Sequence, residues 1–422
     1  MKHLLLFILV LGWFGSQAQP LQELSLAQCY EMAVQHYPMV RQRELIERTN
    51  AFTLENISKG YLPQLQVNGQ ASYQSEVTQI PISLPGMDIP TLSKDQYKVY
   101  ADLNQQLYDG GHIRSQKQLQ ESNTQVSRQQ LEVELYKVRD RVSQLFFGIL
   151  ITQAQLEQND LLQKDLEISI GKAKAGLKNG TQLPSNVDVL EAELLNTKQR
   201  RIEIQANREA TIRMLTLFLG QEPGSNCRFL KPEVRISQNT LDIHRPELDL
   251  YSAQYKSLNL QNDLVSAKNR PRISFFVQGG YARPGLNMLN NDFSAYYIGG
   301  LRFNWSLSGF YTSRNERSLL QVQQHNIDLQ RETFLFNTRL TAEQQSGDIR
   351  KAEQLLQTDE EIIRLRHKVQ QVASVQLEQG VISSGDYVRE LNAADKARQN
   401  KILHEIQLLQ AQQQLQWTTN QQ

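Results

Sequence analysis

Four stretches of the chain alternate apolar and polar residues with a period of two. In LPQLQVNGQASYQ, Leu65, Val67, Gly69, Ala71 and Tyr73 share one face, and Gln64, Gln66, Asn68, Gln70, Ser72 and Gln74 share the other. YKVYADLNQQLY sets Tyr97, Val99, Ala101, Leu103 and Leu107 against Lys98, Asp102, Asn104 and Gln106. RISFFVQGGYA places Ile273, Phe275, Val277, Gly279 and Tyr281 on one side, and the fourth stretch sets Leu301, Phe303, Trp305 and Leu307 against Arg302, Asn304, Ser306 and Ser308. This period predicts four β-strands. Strands of about ten residues with one apolar and one polar face suit a membrane barrel.

The rhythm changes at LYDGGHIRSQ, residues 107–116, and again after LRFNWSLSGF. The stripe then recurs at steps of three and four: Leu135, Val138, Val142, Leu145, Ile149, Thr152 and Leu156, then, after an interruption by Asn159 and Gln163, Leu166, Ile170, Ala173 and Leu177. Such spacing predicts a coiled-coil helix over 113–178, about 100 Å long at 1.5 Å per residue. KNGTQLPSNVD breaks it, and Asn186 or Asp188 is placed to cap the returning helix. EQGVISSGDYVRE makes the same reversal in the second half, after a helix whose stripe (Ala352, Leu355, Ile362, Val369) carries Asp359 and Arg366.

These features are duplicated. Pro38 falls on Pro246, Pro63 on Pro271 and Tyr73 on Tyr281 at an offset of 208 residues; Tyr97 then meets Tyr297, Asn104 Asn304, Leu107 Leu307 and Gly180 Gly380 at an offset of 200. The difference lies in the loop joining the paired strands, the expected place for length variation. The expected organisation is a leader over 1–18, a first repeat over 19–220, a linker over 221–242 and a second repeat over 243–422.

The leader reading rests on MKHLLLFILVLGWFGSQAQP: Lys2, an apolar core from Leu4 to Phe14, and small residues at Ser16 and Ala18 before a cleavage point. The core is too short to span a bilayer, and no later run is long and apolar enough to do so as a helix. The formal charge is +1, falling to 0 without Lys2, which argues against a nucleic-acid partner. Cys29 and Cys227 are the only cysteines; one is expected before a helix and one after, and export leaves both a disulfide and two free thiols open. The histidines show no metal-ligand spacing, and no nucleophile elbow, phosphate loop or dinucleotide fingerprint is present. No catalytic, cofactor or metal site is expected.

Four strands cannot close a membrane barrel, and an open edge would leave unpaired backbone groups in lipid. Several chains must therefore pool their strands. Two chains give eight strands, a barrel filled by its own side chains; three give twelve and a lumen lined by Gln, Asn, Asp, Ser and Arg. Helices continuous with those strands would extend the tube beyond the membrane. Tyr73, Tyr97, Tyr108, Tyr296, Tyr297 and Phe310 cluster near strand ends, as interface girdles do, with buried packing at the barrel–helix junction open as the alternative for Tyr108 and Phe310. A periplasmic coiled-coil adaptor or scaffold is the alternative reading, but it leaves the four strands unexplained.

LSLAQCYEMAVQHYPMV, GYLPQLQVNGQASY and LYDGGHIRSQ, followed by IHRPELDLYSAQ and the KNG and EQG turns, resemble the recurring motifs of TolC-like outer-membrane efflux proteins. The resemblance implies a mostly α chain with membrane β: antiparallel coiled-coil helices plus four strands that join a trimeric twelve-stranded barrel. It implies a passive duct in the outer membrane of a Gram-negative bacterium, with its helices in the periplasm. The implied partners are two further copies, outer-membrane lipid, a periplasmic adaptor (membrane fusion) protein and an inner-membrane pump of RND or ABC type. The implied periplasmic aperture lies at Asp386 and Arg389; Asp386 matches the first acid of the family pattern, whereas Arg389 stands where a second acid occurs and Ile382 where some members carry an arginine. The implied adaptor contacts are the hairpin tips at Lys178, Gly180, Asp188, Gln379 and Gly380.

Overall fold

The computed structural model describes residues 23–78, 91–224, 227–233 and 242–420; the leader and parts of the first strand-joining loop and of the linker lie outside them. In chain order the elements are β1 (Glu23–Leu24), α1 (Leu26–His36), α2 (Gln42–Ser58), β2 (Gln64–Tyr73), β3 (Asp95–Tyr108), α3 (His112–Lys178), α4 (Pro184–Leu219), β4 (Arg228–Phe229), α5 (Pro246–Lys268), β5 (Arg272–Arg283), β6 (Ser294–Asn304), α6 (Gly309–Glu378) and α7 (Ser384–Thr419). The four expected strands and the two expected long helices are present. They belong to two compact units, and each repeat contributes to both: one unit holds 41–134 and 244–337, the other holds 1–40, 135–243 and 338–422.

In the first unit β2, β3, β5 and β6 form one antiparallel sheet in that order. The two hairpins are joined through β3 and β5, with Ala101 opposite Gly279 and Leu103 opposite Val277. An Arg283–Asp95 ion pair and an Asn291 amide that donates to Ser93 Oγ at 2.7 Å add side-chain ties near the loop end of that seam. The switch from β3 to α3 is made by Asp109, Gly110 and Gly111. Both glycines have positive φ, which an L side chain rarely adopts, and a Cβ on Gly110 would lie 2.7 Å from that of Arg270. The Asp109 carboxylate accepts from the N–H groups of Gly111 (2.8 Å) and Ile113 (2.7 Å), meeting free donors of the new helix.

In the second unit the apolar stripes of α3, α4 and α7 close a core around Val142, Phe146, Phe147, Leu215, Leu219, Ile406 and Trp417. The two-residue strands β1 and β4 pair in parallel and bring Leu24 and Phe229 into that core. A second cluster joins the ends of the long helices through Leu166, Ile170, Leu190, Ala373, Leu377 and Leu391. Polar residues that break the stripes are paired: Asn159 donates to the Thr197 carbonyl (3.2 Å), Gln163 donates to Asn159 (2.7 Å), and buried Asp359 meets His404 Nδ1 at 2.6 Å. Arg366 is exposed and reaches Glu390 at 3.4 Å.

Three expectations are corrected. Neither Asn186 nor Asp188 caps α4: the cap position is Leu183, with Pro184 opening the helix. Proline at that place needs no N–H and presets φ, so the start moves upstream of both candidates. Cys29 lies within α1 rather than ahead of it, and Cys29 and Cys227 are free thiols buried in the same core. Burial, and secondarily each other's proximity, pushes the Cys29 thiol up to about 12, away from thiolate chemistry. The third correction, at Tyr296, concerns the faces of the sheet described below.

Asp395 of α7 is buried and accepts from Gln158 Nε2 at 3.0 Å and from Gln399, which itself accepts from Arg200 at 2.5 Å. Burial raises its pKa above 3.8 despite these donors. A folded-state value above the unfolded one means the folded chain holds the proton longer. Stability therefore falls as pH rises from about 3.8 through the raised value, and the cost is full above it. Asp395→Asn should accordingly unfold at a higher temperature than wild type at neutral pH and show a flatter pH profile. A lower melting temperature at neutral pH would mean that the donors outweigh burial.

Candidate channel wall and aperture

The sheet presents two unlike faces. Paired residues in antiparallel strands share a face, so the registers align Leu65 with Leu103, Val67 with Ala101, Val99 with Tyr281, and Phe275 with Leu301. Leu65, Val67, Val99, Phe275, Tyr281, Tyr297, Leu301 and Phe303 are all exposed on that apolar face. A water-facing patch of this extent marks a surface meant to be covered. The opposite face carries Gln64, Gln66, Asn68, Lys98, Asp102, Asn104, Gln278 and Arg302.

Tyr296 belongs to that polar face. It pairs with Gly280, whereas its neighbour Tyr297 pairs with Gly279 on the apolar side. The period of two forbids adjacent residues from sharing a face, so Tyr296 leaves the girdle set. Its ring is buried with the Lys98 ammonium 5.3 Å from its centroid, and the same ammonium lies 4.6 Å over Tyr100. Gly280 makes room, since a Cβ there would sit 2.5 Å from that of Tyr100. Phe293, which carried no sequence signal because it lies in a loop, stacks on Tyr281 (centroids 5.6 Å) and reaches Tyr97 (6.1 Å). Tyr73, Tyr97, Tyr108, Tyr297 and Phe310 are exposed.

Neither edge of the sheet has a strand partner among the described residues: β2 ends it on one side and β6 on the other. Among the described residues no helix is long and apolar enough to cross a membrane.

At the turns of the second unit, the two repeats use one design. Gly180 donates to the Leu177 carbonyl and Thr181 to that of Gly176; Gly380 donates to the Leu377 carbonyl and Val381 to that of Gln376. Both glycines have positive φ, so each helix ends in a Schellman turn. Lys178 and Gln379 are exposed beside these turns, and Asp188 is exposed in α4. Asp386 is drawn into a capping box: it accepts from Ser383 Oγ at 2.8 Å while its own N–H donates to that oxygen at 3.2 Å. The Ser383 hydroxyl, then its N–H, and then Arg389 hold the Asp386 carboxyl below its ordinary range. Arg389 forms an ion pair with it one helical turn on. The turn thus presents an ionised acid with a compensating base.

Known proteins match this pattern. The family model described as outer membrane efflux protein matches residues 55–221, from the end of α2 through β2, β3, α3 and α4. The sequence of that region is similar to outer membrane efflux proteins. No curated protein matches the sequence. Solved channels share the architecture: CusC, which forms a transmembrane channel, at 13% identity over 93% of this chain and 91% of its own (TM-score 0.69); the outer-membrane channel OprN at 14% over 93% and 89% (0.67); and the open state of the Neisseria gonorrhoeae MtrE outer-membrane channel at 12% over 93% and 88% (0.65). At these identities the likeness establishes the fold, which extends beyond residues 55–221 into the second repeat.

Proposed function

We propose that the chain is the outer-membrane exit duct of a tripartite efflux or type I secretion system, a passive conduit from periplasm to exterior. The observation that carries this reading is a four-stranded sheet with an exposed apolar face, a polar face and two open edges. Pairing β6 of one copy with β2 of the next satisfies both edges and turns the apolar face to lipid. Three copies make twelve strands. Two would make eight, whose narrow interior could not hold Tyr100, Phe276 and Tyr296 of each copy and still conduct. The long helices would then line the periplasmic part of the duct.

In this reading Asp386 and Arg389 lie at the periplasmic aperture, where an ionised carboxylate favours cations. The tips at Lys178, Gly180, Asp188, Gln379 and Gly380 meet a periplasmic adaptor, and an RND or ABC pump in the inner membrane supplies the energy. The test is the native mass and bilayer conductance of the purified protein. A three-copy particle with a stable conductance is expected, with weaker cation preference in Asp386→Ala. A water-soluble single chain that never inserts would overturn the reading.

A further inference from the structure

The four strands of the sheet carry six charged residues: Asp95, Lys98, Asp102, Arg272, Arg283 and Arg302. The strand register sorts them by face. Asp95 and Arg283 lie on the apolar face and form an ion pair, so that face carries no net charge. Lys98, Arg272 and Arg302 share the polar face with Asp102. Three bases against one acid leave that face two positive charges per copy, on a chain whose overall charge is only +1. Among the described residues no carboxylate forms an ion pair with Lys98, Arg272 or Arg302. Asp102 stands four residues from Lys98 along β3, about 13 Å at ~3.3 Å per residue, which exceeds the ~8 Å screening length of physiological salt.

Two of these bases are held over aromatic rings by one repeated arrangement. Lys98 Nζ lies 4.6 Å over the Tyr100 ring and 5.3 Å from that of Tyr296, and the Arg302 guanidinium lies 4.5 Å over Phe276. Each stack has a glycine across the strand pair. Gly280 stands between Tyr100 and Tyr296, and a Cβ on it would come within 2.5 Å of Tyr100 Cβ. Gly300 pairs with Phe276, and a Cβ there would meet the Phe276 ring at 3.3 Å. The absent side chains leave room for the rings against the sheet. A ring attracts a cation without neutralising it. Lys98 and Arg302 therefore keep their full charge for passing solutes, whereas the Asp95 carboxylate cancels that of Arg283. Tyr296 is nine-tenths buried, and its hydroxyl has no hydrogen-bond partner among the described residues. A phenol O–H is thus free to donate on the ring next to the Lys98 ammonium, and both groups suit an anion.

We propose that Lys98 and Arg302, backed by Tyr100, Tyr296 and Phe276, form a basic collar on the lumen wall that draws anions into the membrane part of the duct, with the Tyr296 hydroxyl as an added donor. This rests on the multi-copy duct proposed above and gives its barrel a preference opposite to that of the Asp386 carboxylate. Rings of basic side chains favour anions as rings of acids favour cations. The solutes that gain are those carrying carboxylate or phosphate groups, and Asp102 is the one charge of the wall that works against them.

The test is the reversal potential of the purified full-length protein in a bilayer under a potassium chloride gradient. Lys98→Gln combined with Arg302→Gln should lower the chloride-to-potassium permeability ratio about threefold or more, the change expected when a wall potential of about one kT is lost. Asp102→Asn removes the opposing acid and should raise that ratio, while Lys98→Arg keeps the charge and should leave the ratio near that of wild type. Arg302 is exposed, so Arg302→Gln alone should assemble and shift the ratio the same way by less. Opposite shifts from the bases and the acid are a signature that a merely structural role would not produce. If the three-copy particle conducts and these variants leave the ratio unchanged, the collar is wrong and the duct stands. If wild type neither assembles nor conducts, the duct reading fails and the collar with it.

Discussion

Val67→Arg should keep the protein out of the outer membrane, whereas Gln66→Arg, one residue away, should leave it there and change only what the duct conducts. Val67 is exposed on the apolar face of β2 and faces Ala101 across the strand pair; Gln66 faces Asp102 on the polar side. In a barrel wall the first side chain meets lipid. Arginine there costs roughly 2–4 kcal/mol near the bilayer midplane, against little on the lumen side. Because β2 is an open edge in the single chain, the same substitution also burdens the seam with the next copy. In the proposed three-copy particle the penalty recurs three times. Membrane fractionation and native mass check the first variant, and reversal potentials in a bilayer check the second. Equal behaviour of the two variants would mean that the sheet does not separate lipid from lumen.

That contrast was legible in the sequence because strand period and chemistry agree: every residue on one side of β2 is apolar, glycine or tyrosine, and every residue on the other is polar. The long helices were legible because a heptad stripe runs along the first, and the KNG and EQG breaks fall at the same places in both repeats although the second stripe is less regular. What escaped were features set by contacts distant in sequence. Alternation cannot say which strands become neighbours, so the β3–β5 seam with its Asp95–Arg283 pair was not visible. Composition groups Tyr296 with Tyr297, although the pleat separates them. Asp359 looked like a defect in its stripe, and its partner His404 lies on another helix. Pro184 is a start signal visible in the sequence, upstream of the cap candidates Asn186 and Asp188. At the far ends of the long helices the sequence locates the turns, because glycine with positive φ is required there.

Phe146→Ala should be the most damaging single change in the helical unit, lowering its stability by about 3–5 kcal/mol. The side chain is fully buried, with its ring edge-on to Phe147 (6.2 Å) and Phe229 (5.6 Å). It sits where the wall helix α3 meets β4, which pairs with β1 and so fixes the start of the described chain to the segment joining the repeats. Trp417, which caps this core from α7, is tied to it by the Tyr136 hydroxyl donating to its carbonyl at 2.5 Å and by the Tyr30 ring at 4.9 Å. Removing the Phe146 ring therefore loosens β4 from α3 as well as opening a cavity. Phe229→Ala should be costly by itself, and the double variant should lose less than the two single losses combined, because each ring fills part of the other's site. Leu217→Ala, on an exposed part of α4 in the single chain, is the comparison for helix propensity alone. Thermal melts followed by circular dichroism give the order. A loss below about 1 kcal/mol for Phe146→Ala would place it among ordinary substitutions and show that β1 and β4 are not held through this ring.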